Sequence, residues 1–132
     1  MPLARFFKKM LYPLEIRLRA KRQAVLDKIV SGATDRVAKE ISACGPPLKH
    51  RLFYGASAIH PRHLVTWYIF DTDGELKAAA EIGLTSKIDA LTRRELATGG
   101  YPEVGIPLMH VSFTSKEDVD RKAGGNYFLY FK

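Results

Sequence analysis

The spacing of apolar residues changes at Gly45-Pro46-Pro47, and this change constrains the fold more than any other feature of the chain. Before it, apolar residues recur every three or four positions, which is the period of an amphipathic helix. After it, they alternate within short runs rich in β-branched and aromatic side chains, which indicates strands. We therefore predict an α+β fold, with N-terminal helices followed by an antiparallel sheet of about four strands with helical insertions.

The first 47 residues are predicted to form several helices. An apolar stripe runs along the first of them and consists of Leu3, Phe6, Phe7, Met10, Leu11, Leu14 and Leu18. Pro13 is expected to kink or split this helix, because proline lacks an amide hydrogen and clashes with the preceding turn. A second helix is predicted from residue 14 to about residue 30, ended by Ser31-Gly32. Thr34-Asp35 offers a cap for a third, short helix.

After the two prolines, strands are predicted at residues 52–54, 64–70, 76–84, 109–113 and 127–131. The turn Asp71-Thr72-Asp73-Gly74 would join the second and third of these runs into a hairpin. A helix between them and the fourth run is predicted to start near Ser86 or Thr92 and to stop at Gly99-Gly100. Another short helix follows Thr114-Ser115 and stops at Gly124 or Gly125.

Composition predicts one globular domain over residues 1–132, with a basic, mainly helical part (1–47) and an α+β body (48–132). The chain has 132 residues, 46% hydrophobic and 27% charged, which is enough for a real core. Its one cysteine, Cys44, permits no internal disulfide, and no apolar run is long enough to span a membrane or serve as an export signal. These features predict a cytoplasmic protein.

The net charge of +7 is concentrated in the first 30 residues. They hold eight basic side chains against Glu15 and Asp27, a net +6, whereas the other 102 residues hold 13 basic and 12 acidic side chains. We expect the apolar stripe to join the core and the basic side chains to be solvated. The alternative is a basic amphipathic adaptor helix that binds an anionic membrane surface or a nucleic acid.

Histidines provide the one candidate for catalysis. A small metal-independent ribonuclease needs a general base, a general acid and cations near the phosphate, and His60, His63 and His110 could take the first two roles. Metal-binding cysteine or histidine motifs are absent, and Asp71-Thr72-Asp73-Gly74-Glu75 lacks the distal glutamate of a calcium loop. Phosphate-binding loops and nucleophile elbows are also missing. We therefore predict no metal, cofactor or small-molecule substrate, and favour a non-enzymatic protein.

The C-terminal half carries a family resemblance. The segments Gly99-Gly100-Tyr101-Pro102, Val111-Ser112-Phe113-Thr114-Ser115-Lys116-Glu117-Asp118-Val119-Asp120-Arg121 and Gly124-Gly125-Asn126-Tyr127 resemble small bacterial immunity proteins, including those paired with toxins of contact-dependent growth inhibition. The resemblance implies a protein that neutralises a cognate toxin domain by contact. Candidate contact residues on these segments are Tyr101, Lys116, Glu117, Asp118, Asp120, Arg121, Lys122 and Asn126.

One feature departs from this family. Immunity proteins against nuclease toxins are often acidic, because they cover a cationic site. Here the body is nearly neutral and the first helix is basic. The resemblance therefore implies either a toxin with an acidic or apolar surface, or a first helix that points away from the contact.

Overall fold

The computed structural model describes the backbone of residues 2–132 and the side chains of residues 12–132. Its elements follow in the order α1 (Pro2–Glu40), β1 (Leu48–Tyr54), β2 (Val65–Phe70), α2 (Asp73–Glu81), α3 (Leu84–Thr98), β3 (His110–Ser115), α4 (Lys116–Ala123) and α5 (Tyr127–Tyr130). Short 3-10 turns, Pro61–His63 and Glu103–Gly105, precede β2 and β3. The predicted α+β class is confirmed. Among the described residues, no helix is both long and apolar enough to cross a bilayer.

Within the described part of the chain, the sheet has three strands in the order β1-β2-β3. Strand β1 is antiparallel to β2, whereas β2 and β3 are parallel. Parallel neighbours need a crossover connection, and α2 and α3 provide it. The prediction of an antiparallel sheet of about four strands was therefore wrong, because the sheet is mixed and two of the predicted strands are helices.

Residues 76–84, predicted as a strand, lie mainly in α2. Their apparent alternation depends on alanines, which fit a helix at least as well as a strand. The oxygen Oγ1 of Thr72 accepts a hydrogen bond from the amide of Glu75 at 3.1 Å, which satisfies a free donor in the first helical turn. The predicted turn at residues 71–74 is thus the start of a helix.

Residues 127–131, predicted as a core strand, form α5 and the residue that follows it. The oxygen Oδ1 of Asn126 accepts a hydrogen bond from the amide of Leu129 at 3.1 Å and caps this single turn. Aromatic side chains on a helical turn point in several directions instead of alternating across a sheet. Some of them can therefore pack on the sheet while others face solvent.

The three predicted N-terminal helices are one continuous helix, α1, which includes both Pro13 and Ser31-Gly32. Tyr12, Pro13 and Leu14 are exposed, and the helix continues through the proline. Thr34 does not cap a new helix. Its hydroxyl donates to the carbonyl of Val30 at 3.0 Å, which is a hydrogen bond made inside a helix.

The remaining elements agree with the sequence patterns. Strands β1, β2 and β3 contain or overlap the runs 52–54, 64–70 and 109–113, and α3 stops at Gly99. It starts at Leu84, before both predicted caps. Helix α4 is capped by Ser115, whose Oγ accepts from the amide of Asp118 at 3.0 Å, and it stops at Gly124 with φ of 60°.

Helices α1 and α3 cover one face of the sheet and enclose the core. The fully or nearly fully buried side chains on this side form two clusters: Val37, Ile41, Tyr68, Phe70, Ala79, Leu84, Ile88 and Leu91 in one, and Leu26, Val30, Ala33, Leu64, Leu96, Tyr101 and Met109 in the other. Successive strand residues face opposite sides of a sheet, so Trp67 lies on the other face from Tyr68. Residues 124–132, which we call the C-terminal tail, pack on that second face through Phe131, which contacts Trp67.

Candidate functional site

The second face of the sheet carries a group of aromatic side chains contributed by β1, β2 and the C-terminal tail. The ring of Phe131 lies 4.7 Å from that of Trp67 and 6.2 Å from that of Tyr54, centroid to centroid. The ring of Tyr127 lies 5.3 Å from that of His50. We call this region the C-terminal aromatic surface and define it by Tyr54, Trp67, Tyr127, Phe128, Leu129, Phe131 and Lys132.

Several of these side chains lie in solvent. Phe128 is 76% exposed, Leu129 56% and Tyr54 42%. Two adjoining hollows of about 420 and 340 Å³ share Tyr54, Phe131 and Lys132 in their walls. The ammonium group of Lys132 stands 5.9 Å from the centre of the Phe128 ring. Contiguous exposed apolar groups with a polar rim are typical of protein-binding surfaces.

Ion pairs of α4 hold this tail in place. Asp118, whose side chain is 15% exposed, accepts hydrogen bonds from Arg121 at 2.6 Å and from the hydroxyl of Tyr130 in α5. Arg121 also pairs with Asp73 of α2 at 3.0 Å. The Tyr130 hydroxyl is within 2.8 Å of Thr114 in β3. Tyr130 thus hydrogen-bonds α5 to α4 and to β3, Arg121 joins α4 to α2, and aromatic packing holds the tail on the sheet.

The structure places the predicted contact residues in two separate regions. Seven of them, Lys116, Glu117, Asp118, Asp120, Arg121, Lys122 and Asn126, lie on or directly after α4, next to the C-terminal aromatic surface. Many have partners within the chain: Lys116 pairs with Asp120 at 2.9 Å, for example, and Asn126 caps α5. Tyr101 is different because it is 2% exposed and donates a hydrogen bond to the carbonyl of Pro61. A partner could reach Tyr101 only if the core opened.

The aromatic residues themselves were not among the predicted contact residues. The pattern of residues 127–131 predicts a buried strand, and a buried strand would not expose Phe128 and Leu129 to a partner. One signal could have revealed them: Asn126 is a favourable N-cap residue directly before the aromatic run. The contributions of Tyr54 and Trp67 depend on long-range packing, for which the sequence carries no local signal.

The three candidate histidines lie at one end of the parallel strand pair. The rings of His60 and His63 are 6.1 Å apart, and His110 begins β3 with its amide donating to the carbonyl of Leu64 at 3.1 Å. Nδ1 of His60 accepts a hydrogen bond from the amide of Arg62 at 3.1 Å, so one imidazole nitrogen is occupied by capping the 3-10 turn. Among the described residues, no group of three or more histidine, cysteine, aspartate or glutamate side chains is arranged to hold a metal ion.

A further hollow of about 600 Å³ lies between the C-terminal part of α1 and the free edge of β1. Arg51 on this strand pairs with Asp35 of α1 at 3.0 Å. A free strand edge can accept an extended peptide as an additional strand. Charged residues such as Lys49 on an edge strand oppose such pairing, so this edge is better explained as a protected one.

The apolar stripe of α1 was expected to join the core, and this is wrong for the two stripe residues whose side chains the structure describes. Every residue from Tyr12 to Arg22 is exposed, and Leu14 and Leu18 are 50% and 58% exposed. The other stripe residues, Leu3, Phe6, Phe7, Met10 and Leu11, lie outside the residues whose side chains the structure describes. Packing of α1 against the body begins with Leu26, which is 5% exposed.

Comparisons with known proteins identify no relative of this chain. No family model matches the chain, and neither curated proteins nor solved structures give a significant match.

Proposed function

We propose that this chain is a non-enzymatic binding protein that neutralises a bacterial toxin domain by contact through its C-terminal aromatic surface. The observation that carries the proposal is the exposure of Phe128, Leu129 and Tyr54 beside two adjoining hollows. Aromatic side chains contribute strongly to protein interfaces, because they bury a large area while losing few rotamers. The toxin as partner rests on the resemblance of the C-terminal half to immunity proteins.

The attachment of the tail supports a binding role. An interface residue contributes more to affinity when it is held in its bound position beforehand. Asp118 and Arg121 connect α4 to α5 and α2, and Phe131 packs on Trp67. The exposed side chains of Phe128 and Leu129 are therefore presented by an anchored turn.

The charge of the surface indicates what kind of toxin it fits. Lys132 stands at its rim, the other rim lysine, Lys122, pairs with Asp118 at 3.3 Å, and its centre is apolar. Complementary charge favours association, so the proposed partner presents an apolar patch with acidic neighbours. Such a partner differs from the cationic nucleic-acid site of many nuclease toxins, and this agrees with the neutral body of the chain.

The proposal is tested with the toxin domain encoded next to this chain. A large secreted protein with a C-terminal toxin domain should lie in the adjacent reading frame, and co-expression of the chain should restore growth to cells that make that domain. The variant Phe128→Ser with Leu129→Ser should lose this protection. A matched control is Ile82→Ser, because Ile82 is 61% exposed but lies outside the aromatic surface. Protection that survives loss of both aromatic-surface residues would contradict the proposal.

A small metal-independent ribonuclease is a second candidate, favoured by the 6.1 Å separation of the His60 and His63 rings and the position of His110 at the same end of the sheet. General acid and base residues must lie close enough to serve one substrate. If the purified chain digests RNA in EDTA and His60→Ala or His63→Ala abolishes the activity, the binding proposal fails in favour of this one. We expect no RNA cleavage by the parent chain.

A further inference from the structure

A second apolar feature of the molecule lies on α1, away from the C-terminal aromatic surface. Leu14, Leu18 and Val25 are 50%, 58% and 60% exposed, and we call these three residues the outer stripe. An ordinary surface helix buries its apolar face against the core. No described part of the chain covers the outer stripe, so its side chains are accessible to a partner.

The outer stripe points away from the body. At about 100° per residue, its three members fall within about 40° of one another around the helix. The core-facing residues Leu26, Val30, Ala33 and Val37 are centred about 110° away. Helix α1 can therefore lay its outer stripe against an external surface while another side of the helix holds the body.

Basic side chains border the outer stripe on both sides. Arg17 and Lys21 lie along one border and Arg22 along the other, and all three are exposed. Long basic side chains can place their apolar stems along a hydrocarbon boundary while their charges reach anionic headgroups. The first 30 residues carry a net charge of +6, so the apolar stripe and the positive charge belong to the same segment.

We propose that the outer stripe docks on a membrane surface rich in anionic lipid, with α1 lying in the plane of the interface. Such binding combines burial of aliphatic side chains with attraction to lipid headgroups. A second copy fits less well, because helix pairing would bring two segments of charge +6 together, with Lys21 of each copy at the border of the contact. A nucleic acid fits less well because Leu14, Leu18 and Val25 offer no aromatic ring for base stacking.

Vesicle sedimentation tests the proposal with the full chain. It should bind equimolar phosphatidylcholine and phosphatidylserine vesicles far better than phosphatidylcholine vesicles alone, and added salt should weaken the binding. The variant Phe128→Ser with Leu129→Ser should bind these vesicles as well as the parent chain, which separates this inference from the proposed function. Equal binding to neutral vesicles, or RNA binding without vesicle binding, would overturn it.

Two matched double variants test which side of α1 meets the lipid. Leu14→Gln with Leu18→Gln removes two members of the outer stripe and should weaken vesicle binding roughly tenfold or more. Tyr12→Gln with Ile16→Gln has the same spacing and similar exposure, 62% and 49%, but lies about 160° around the helix. It should change binding much less. Equal losses with both pairs, or a stable dimer that the first pair dissociates, would contradict docking of the outer stripe on lipid.

Discussion

At Asp118, one carboxylate joins two short helices. Arg121 and Lys122 of α4 lie 2.6 and 3.3 Å from its oxygens, and the hydroxyl of Tyr130 in α5 donates to it. Hydrogen bonds from Tyr130 and Arg121 lower the pKa of Asp118 from 3.8 to about 2. Burial and the nearby Asp118 carboxylate raise the pKa of Tyr130. The charge on Asp118 therefore helps to attach the aromatic turn to the rest of the molecule.

The lowered pKa of Asp118 predicts a specific pH dependence. Because the folded state holds the ionised form, Asp118 stabilises the fold above its ordinary pKa of 3.8, and this contribution is lost as the pH falls towards about 2. In Asp118→Asn, the free energy of unfolding should fall less steeply between pH 3.8 and about pH 2 than it does in the parent chain. Urea unfolding followed by circular dichroism at several pH values measures this. Asp120→Asn is the control, since among the described residues Asp120 forms one ion pair, with exposed Lys116; identical effects of the two changes would contradict the assignment.

Gly105 marks another position where one atom decides the packing. A Cβ there would lie 2.4 Å from Cβ of Pro61 and 2.6 Å from its carbonyl carbon, so the two 3-10 turns could not stay in contact. Gly105→Ala should lower the free energy of unfolding by about 1–3 kcal/mol through overpacking. In Gly74→Ala the new Cβ meets nothing closer than 3.9 Å, and we expect no loss and a gain of up to about 1 kcal/mol. Chemical denaturation of both variants checks the contrast.

At the level of elements, α1 changes role along its length. Its residues 12–22 are exposed, whereas its C-terminal part supplies core residues from Leu26 onward. The two neighbours at the transition, Val25 and Leu26, are 60% and 5% exposed. They therefore provide a sharp test of where the core begins.

Leu26→Ala should lower the free energy of unfolding by about 2–5 kcal/mol, because it removes a buried side chain and leaves a cavity. Val25→Ala, one residue earlier in the same helix, should change it by no more than about 0.5 kcal/mol, since Val25 is exposed. Equilibrium unfolding in urea gives both values. A large loss in Val25→Ala would show that the outer stripe is packed against the chain itself.

Local patterns predicted elements where capping and periodicity agreed. Helix α4 begins after Ser115 and ends at Gly124 as predicted, and β2 coincides with the predicted β-branched and aromatic run. Prediction failed where two patterns competed. At residues 76–84 alternation predicts a strand, although Thr72 and Glu75 have the spacing of a capping box, which predicts a helix start. Alanine fits either pattern, so the cap was the stronger signal.

At the scale of the whole molecule, the predicted contact residues on α4 and the C-terminal aromatic surface lie side by side, but the sequence predicts only the former. The resemblance led to α4, which borders the C-terminal aromatic surface. The surface itself requires Tyr54 and Trp67 from two strands to meet Phe131 from the tail, 77 and 64 residues away along the chain. Such contacts follow from how the tail crosses the sheet, and no local spacing encodes them. The exposed stripe of α1 was likewise hidden, because periodicity shows that a face is apolar but not what covers it.

Hydrogen exchange of the full chain, alone and mixed with the proposed toxin domain, tests the proposed mode of action most directly. The account predicts that the toxin slows exchange of backbone amides in residues 126–132 and at the end of β1 near Tyr54, while α1 between residues 12 and 22 stays unchanged. Protection confined to α1 or to the edge of β1, or no protection at all, would contradict neutralisation through the C-terminal aromatic surface.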